Sequence, residues 1–216
     1  MNFKNSIETI SKKEKTGQLF FPAAFINDDG VGIKSVENLI TNHHIGGLCF
    51  FHSRASAATN YESKKKVVQN DQSFERLKQL ISHYQSLAKY PLLMSIDAEW
   101  GLAMRVEKTP QYPYAITLGA MPNNAMDLIE QTGFNIGTDL LKAGLNLNLA
   151  PVLDINDNPK NPVIGYRSFG QNKHKVLQKG LAFYRGMQRA GMLGCLKHFP
   201  GHGNTFVDSH LGLPVI

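Results

Sequence analysis

Five short apolar runs, separated by four longer segments of helical periodicity, restrict this 216-residue chain more than any other feature. The runs are LFFPAAF (19–25), IGGLCFF (45–51), PLLMSIDAE (91–99), LNLNLAPVLD (145–154) and GMLGCLKHF (191–199). Between them lie IKSVENLITNHH, FERLKQLISHYQSLAKY, AMDLIEQTGFNIGTDLLKAG and KVLQKGLAFYRGMQRAG, each with apolar residues at three- and four-residue spacing. That spacing is the signature of an amphipathic helix. Asp71 and Ser73 are candidate start signals for the second helix, and Gly144 and Gly191 are candidate stops for the third and fourth. Strands alternating with helices are joined by crossovers and run parallel, and near-continuous apolar strands belong to a sheet buried on both faces.

Two α/β architectures fit this pattern, an open doubly wound sheet and a (β/α)8 TIM-type barrel. Polar residues decide between them. Asp97 and Glu99, Asp154, and Lys197 with His198 all fall at the C-terminal ends of predicted strands. A barrel gathers its functional residues there from strand after strand, whereas an open sheet concentrates them at one switch point. No G-x-G-x-x-G follows the first strand, which argues against a dinucleotide site. The expectation is a barrel represented by five βα units, with LGLPVI as the candidate start of a sixth strand. Residues 1–18 form a lead-in and 19–216 a partial barrel, so the chain is expected to be C-terminally incomplete.

Composition excludes several function classes. Apolar residues make up 42% and charged residues 19%, as in an ordinary globular protein. The net charge of +6 comes from 23 Lys+Arg against 17 Asp+Glu, with lysines grouped at Lys12-Lys13 and Lys64–Lys66. No arginine-rich run or RNA-binding aromatic signature accompanies them, so a solvated lysine face is expected and no nucleic-acid partner. Cys49 and Cys195 lie inside apolar runs and are expected as buried free thiols. No apolar signal-peptide core and no membrane-length apolar stretch is present, so the cytoplasm is the default location and no membrane partner is expected. A periplasmic or exported location applies if the true N-terminus lies upstream.

The chemistry concentrates in three stretches. KHFPGHGNTFVDSH (197–210) holds three histidines, a lysine and an aspartate in a loop broken by glycine and proline. Asp208 and His210 are two apart; in an extended segment both side chains face the same way, so the carboxylate can orient the imidazole for proton transfer. Lys197 and His198 can both donate to hydroxyls. His198, His202, Asp208 and His210 also form a candidate metal set, although H-x3-H-x5-D-x-H is irregular and loop-borne. In SIDAEWGLAMR (95–105), Asp97 and Glu99 supply carboxylates, Trp100 an aromatic face and Arg105 a forked donor, the groups a sugar pocket needs. NPVIGYRSFG (161–170) places Arg167 in a loop after the fourth strand. Asp154 is either a further ligand or an aspartate at a strand-end turn.

The combination IDAEWGLAMR, LNLNLAPVLDIN, YRSFG and KHFPGHGNTFVDSHLGLP resembles the N-terminal barrel of the family 3 glycoside hydrolases, specifically their β-N-acetylglucosaminidase (β-N-acetylhexosaminidase) branch. The resemblance runs from about Leu19 onward. It implies a retaining exo-glycosidase that removes terminal N-acetylglucosamine, often in bacterial cell-wall recycling, with no cofactor. By position it makes His210 the acid/base and Asp208 its partner, in place of the carboxylic acid most retaining glycosidases use. Asp97, Arg105, Arg167, Lys197 and His198 match the residues that hold the sugar. The usual E-G-G is E-W-G here, a form associated with members that carry a further C-terminal domain. The family's nucleophile is an aspartate on a later strand, beyond the D-S-H loop. The resemblance therefore implies a fragment with little activity alone, with a complementing C-terminal half as a candidate partner. Two other readings stay open: a non-catalytic sugar-binding or split-gene fragment, and a metal-dependent barrel hydrolase.

Overall fold

The computed structural model describes residues 9–52 and 69–216; Lys64–Lys66 lie outside them. Five strands form one parallel sheet: β1 Ala23–Phe25, β2 Gly47–Phe51, β3 Leu93–Ile96, β4 Leu147–Asn148 and β5 Leu193–Gly194. Their spatial order is their chain order, β1-β2-β3-β4-β5, with Ala23 opposite Cys49, Gly47 opposite Leu93, Ser95 opposite Leu147 and Leu147 opposite Leu193. A doubly wound sheet reverses direction at a switch point; this one does not, so it is an arc of barrel wall. LGLPVI forms no strand, correcting that expectation.

The helices are α1 Lys12–Gly17, α2 Gly30–His43, α3 Ser73–Leu87, α4 Ala115–Ala120, α5 Met126–Lys142 and α6 Lys173–Arg189. Among these described helices, none is long and apolar enough to cross a membrane. Asp29 starts α2 by accepting from the N–H groups of Val31 and Gly32 at 3.0 and 2.9 Å. Neither Asp71 nor Ser73 caps α3. Asp71 pairs with Lys108 at 2.6 Å, and the buried Ser73 hydroxyl accepts from Glu107 N at 3.0 Å. Gly144 and Gly191 end α5 and α6 as expected, both at φ +90. In each, the glycine N–H bonds back into the last turn, to Leu141 O and Gln188 O. The next residue bonds one step deeper, Leu145 N to Leu140 O and Met192 N to Met187 O.

The last two strands are shorter than their apolar runs. Pro151 has no N–H for the ladder, which resumes only at the Val152–Lys197 bridge. Two asparagine side chains of LNLNL take over part of the pairing. Asn146 Oδ1 accepts from Met94 N at 2.7 Å, while the buried Asn148 amide accepts from Ala98 N at 3.1 Å and donates to Ala98 O at 3.2 Å. These bonds hold the backbone just beyond β3, where Asp97 and Glu99 emerge. Cys49 is half-buried and Cys195 exposed, both free thiols. The expected burial of Cys195 fails because β5 is the outermost strand, flanked by the exposed Leu193 and Leu196.

Helices α5 and α6 pack against each other closely enough to exclude a methyl group. A Cβ on Gly133 would lie 2.0 Å from Phe183 O, and one on Gly186 would lie 1.9 Å from Glu130 O. Backbone cannot yield as a flexible side chain can, so the helices would have to part. Gly186→Ala should therefore destabilise the fold by about 1–3 kcal/mol despite alanine's helix propensity advantage of about 1 kcal/mol. A urea midpoint equal to or above that of the parent would contradict the packing described.

Candidate active site

The site is built where the barrel wall ends. After β3 the chain runs Asp97-Ala98-Glu99, and both carboxylates reach toward Lys197, which follows β5. Lys197 Nζ lies 2.8 Å from Asp97 Oδ1 and 2.8 Å from Glu99 Oε1. Arg167, from the loop before α6, grips Glu99 with two nitrogens, Nη2 to Oε1 at 2.8 Å and Nε to Oε2 at 3.0 Å. This planar fork on a carboxylate is the geometry for which guanidinium is suited. Arg105 reaches Asp97 Oδ2 more loosely, at 3.5 Å, and stacks over Phe51 with 5.3 Å to the ring centre. Two carboxylates and three cations thus interlock.

Burial pushes the carboxyls of Asp97 and Glu99 upward, yet both end below the ordinary carboxylate range. Lys197 and Arg105 outweigh it at Asp97, Arg167 and Lys197 at Glu99. Glu99 in turn raises Arg167 against the opposing effect of burial. A carboxyl whose pKa is depressed by folding stabilises the fold above its unfolded pKa, and that contribution disappears as pH falls through the folded value. The thermal midpoint should hold level above about pH 5 and fall as the pH drops below about 4. Glu99→Gln should make that acid limb shallower; a midpoint unchanged down to about pH 3 would contradict the network.

Asp154 resolves as a scaffold for the loop. Its side chain is fully buried and accepts from His198 N at 3.1 Å, His198 Nδ1 at 2.6 Å and His202 N at 2.5 Å. Burial raises its pKa, but these bonds bring it below the usual value. An ionised carboxylate only accepts, so the His198 proton facing it sits on Nδ1 and leaves Nε2 toward a ligand. Asn158 donates to Thr205 O at 2.8 Å and Asn161 to His202 O at 2.6 Å, strapping the Gly-rich loop to the segment after β4. The buried His202 bonds through Nδ1 to Thr205 Oγ1.

Asp208 and His210 do pair, by a different route from the one the spacing suggested. They lie on a turn, closed by Leu211 N to Asp208 O at 2.8 Å. Asp208 Oδ1 accepts from His210 N at 2.9 Å and faces His210 Nδ1 at 2.7 Å. Burial raises the Asp208 carboxyl, but the two His210 bonds overcome this and keep it below its usual range. His210 therefore carries its proton on Nδ1 toward Asp208, and Nε2 is the nitrogen open to a reacting oxygen.

One cavity of about 640 Å³ is lined by Asp97, Glu99, Arg105, Arg167, Lys197, His198, Asp208 and His210. Every residue that the resemblance assigns to the site therefore meets there. Glu99 is the hub of the network; the sequence offered it with Asp97 as a sugar-pocket carboxylate, and only the set implied by the family resemblance left it out. Tyr166, which lines the cavity beside Trp100, was also missed; no local pattern marks it. Among the described residues, no group of three or more His, Cys, Asp or Glu side chains is arranged to hold a metal ion.

Residues 11–216 match the model of the glycosyl hydrolase family 3 N-terminal domain. Beta-hexosaminidase A of Pseudoalteromonas piscicida is 36% identical over 182 residues, covering 83% of this chain and 29% of that protein. Beta-hexosaminidase of Photobacterium profundum is 33% identical over 187 residues, 86% of this chain and 50% of that protein. The solved glycoside hydrolase family 3 β-N-acetylglucosaminidase from Paenibacillus sp. str. FPU-7 superimposes with a TM-score of 0.75 at 33% identity, over 96% of this chain and 36% of that one. The chain thus spans half or less of the length of these three proteins. With the family match running through both the barrel arc and the loop that carries Asp208 and His210, this chain belongs to glycosyl hydrolase family 3, in its N-terminal domain.

Proposed function

We propose that this chain supplies the sugar-binding and proton-transfer groups of a retaining β-N-acetylhexosaminidase, an enzyme that hydrolyses terminal β-linked N-acetylglucosamine. The observation that carries the reading is the Asp208–His210 pair opening onto the same cavity as the Asp97–Lys197–Glu99–Arg167 network. The hexosaminidase relatives support the substrate class.

In this reading Asp97 accepts from sugar hydroxyls, while Lys197, Arg105, Arg167 and the open Nε2 of His198 hold the remaining oxygens. His210, charged with a proton on each ring nitrogen, gives the Nε2 proton to the glycosidic oxygen as the C–O bond breaks and a carboxylate from the complementing half bonds to the anomeric carbon. Nε2 then takes a proton from the water that displaces that carboxylate, while Asp208 holds the ring and stabilises its charged form. Asp97 and Glu99 are engaged by cations, Asp154 by the loop and Asp208 by His210, so the reading assigns none of them the nucleophile.

The test is turnover of an aryl N-acetyl-β-glucosaminide, beside the matching glucoside, by this chain together with a complementing C-terminal half that supplies the nucleophile. Release from the first at least about 100-fold faster supports the reading, a discrimination of about 2.7 kcal/mol. Equal rates on both, or no release from either, would overturn it.

A further inference from the structure

Arg105 is the least firmly held cation of the cavity. Its bond to Asp97 is 3.5 Å long, against 2.8 Å for Lys197 on Asp97 and for the closer nitrogen of Arg167 on Glu99. Its Nε is buried without a partner among the described residues. What remains is the face of Phe51, 5.3 Å from the guanidinium carbon to the ring centre. Such a contact draws the charge to the ring without fixing where over the ring it sits. The place of the guanidinium therefore depends on how the backbone at Arg105 is held against the end of β2.

A polar cluster outside the cavity does that holding. His52 follows Phe51, and Glu107 lies two residues after Arg105. Neither is among the residues lining the cavity. Their side chains are 8% and 18% exposed, and His52 Nε2 bonds to Glu107 Oε1. Glu107 Oε1 also accepts from Asn70 N at 2.9 Å, and Glu107 N donates to Ser73 Oγ at 3.0 Å, at the start of α3. Asn70 Nδ2 extends the cluster to Asn27 Oδ1 at 2.6 Å, beyond β1. Burial pushes the Glu107 carboxyl up, but Ser73, Asn70 and His52 bring it below the usual range. An ionised carboxylate only accepts, so the proton between the two side chains sits on His52 Nε2. The neighbouring Lys108–Asp71 pair is exposed on both sides and holds this segment weakly by comparison.

Stability alone is a poor account of the pair. His52 Nδ1 and Glu107 Oε2 are buried with no partner among the described residues, and apolar side chains of the same shape would avoid that cost. We propose that His52 and Glu107 are positioning residues for Arg105: their bond sets the separation of Arg105 from Phe51 and so presents the guanidinium to the sugar. This rests on the glycosidase reading above, in which Arg105 holds a sugar oxygen. Without the bond Arg105 slides over the Phe51 face and its grip on the sugar loosens. Lys197 and Arg167 keep their places, because Glu99 holds both.

Trp100 is the one tryptophan of the sequence and lines the cavity, so its fluorescence follows sugar binding. N-acetylglucosamine is titrated into the parent, His52→Leu, His52→Gln, Arg105→Ala and the double variant His52→Leu/Arg105→Ala. His52→Leu should weaken binding about tenfold. His52→Gln, whose amide N–H can replace that of Nε2, should restore most of the affinity. Beside Arg105→Ala, His52→Leu should cost less than about twofold, because the group it positions is gone. A merely structural role would give the same loss in both backgrounds, and that result would overturn the proposal. Unchanged affinity in His52→Leu, or in Arg105→Ala, would also overturn it while leaving the glycosidase reading intact. Should His52→Leu fail to fold, Glu107→Gln carries the same comparison. A smaller loss that vanishes beside Arg105→Ala supports the pair, and an equal loss in both backgrounds overturns it. No binding by the parent would remove the glycosidase reading and the positioning role with it.

Discussion

Glu99→Ala should lower stability by about 3–5 kcal/mol, the cost of breaking a buried ion pair from one side, and should abolish sugar binding at the same time. Glu99 has the least exposed side chain of the network and carries both Lys197 and Arg167. Without it Arg167 keeps a 3.3 Å bond to Val163 O and the more distant charges of Asp97 and Asp154, and its largely buried guanidinium loses the carboxylate it grips. Asp97→Ala should cost less, because Lys197 retains Glu99 and Arg105 retains its contact over Phe51. Urea unfolding of the two variants reads this order directly, as a larger drop in midpoint for Glu99→Ala at unchanged denaturant slope. The double variant Glu99→Met/Arg167→Met should recover part of the loss, since it removes both charges rather than stranding one. Equal destabilisation by the Asp97 and Glu99 changes would mean that Glu99 is not the hub.

That hub was only half legible in the sequence. Periodicity placed Asp97 and Glu99 together at a strand end, because alternation in an extended segment is a local property. Which of the two would hold two cations depends on Arg167 and Lys197, far along the chain, and no local rule carries that information. Asp154 has the same history. Its position after the fourth run was legible, but its use as the acceptor for three loop N–H groups needed the loop's path.

The helices and their glycine stops were legible for the opposite reason. Each Gly at the end of α5 and α6 answers a requirement of its own last turn, a left-handed residue with two carbonyls to satisfy. Strand length was not legible where side chains replaced backbone. LNLNLAPVLD reads as one long run, yet Asn146 and Asn148 bond the neighbouring backbone and Pro151 interrupts the ladder, so only two of its residues remain regular strand. The Asp208–His210 pair was anticipated from extended spacing and arises instead from a turn. Its pairing survives because an aspartate two residues before an N–H bonds readily back to it, which brings the ring along.

With the complementing half present to supply the nucleophile, His210→Ala should reduce kcat/KM on an unactivated β-linked disaccharide by about 10²–10⁴, the usual range for loss of a positioned acid/base group. The loss should shrink for an aryl glycoside whose leaving group is already a weak base, because that oxygen needs no proton as the bond breaks. A carboxylate acid would show the same dependence on leaving group, so Asp208→Asn supplies the distinguishing measurement. Asp208 Oδ1 fixes the His210 tautomer, accepting from N and Nδ1 at 2.9 and 2.7 Å. An amide can present its NH₂ instead, which would invert the tautomer and remove the stabilisation of the imidazolium. Asp208→Asn should therefore lose activity in the same direction as His210→Ala, and adding it to His210→Ala should cause little further loss, as expected of two groups acting as one unit. Independent, multiplicative losses would separate the pair, and a His210→Ala variant with unchanged turnover of the disaccharide would remove it from the reaction.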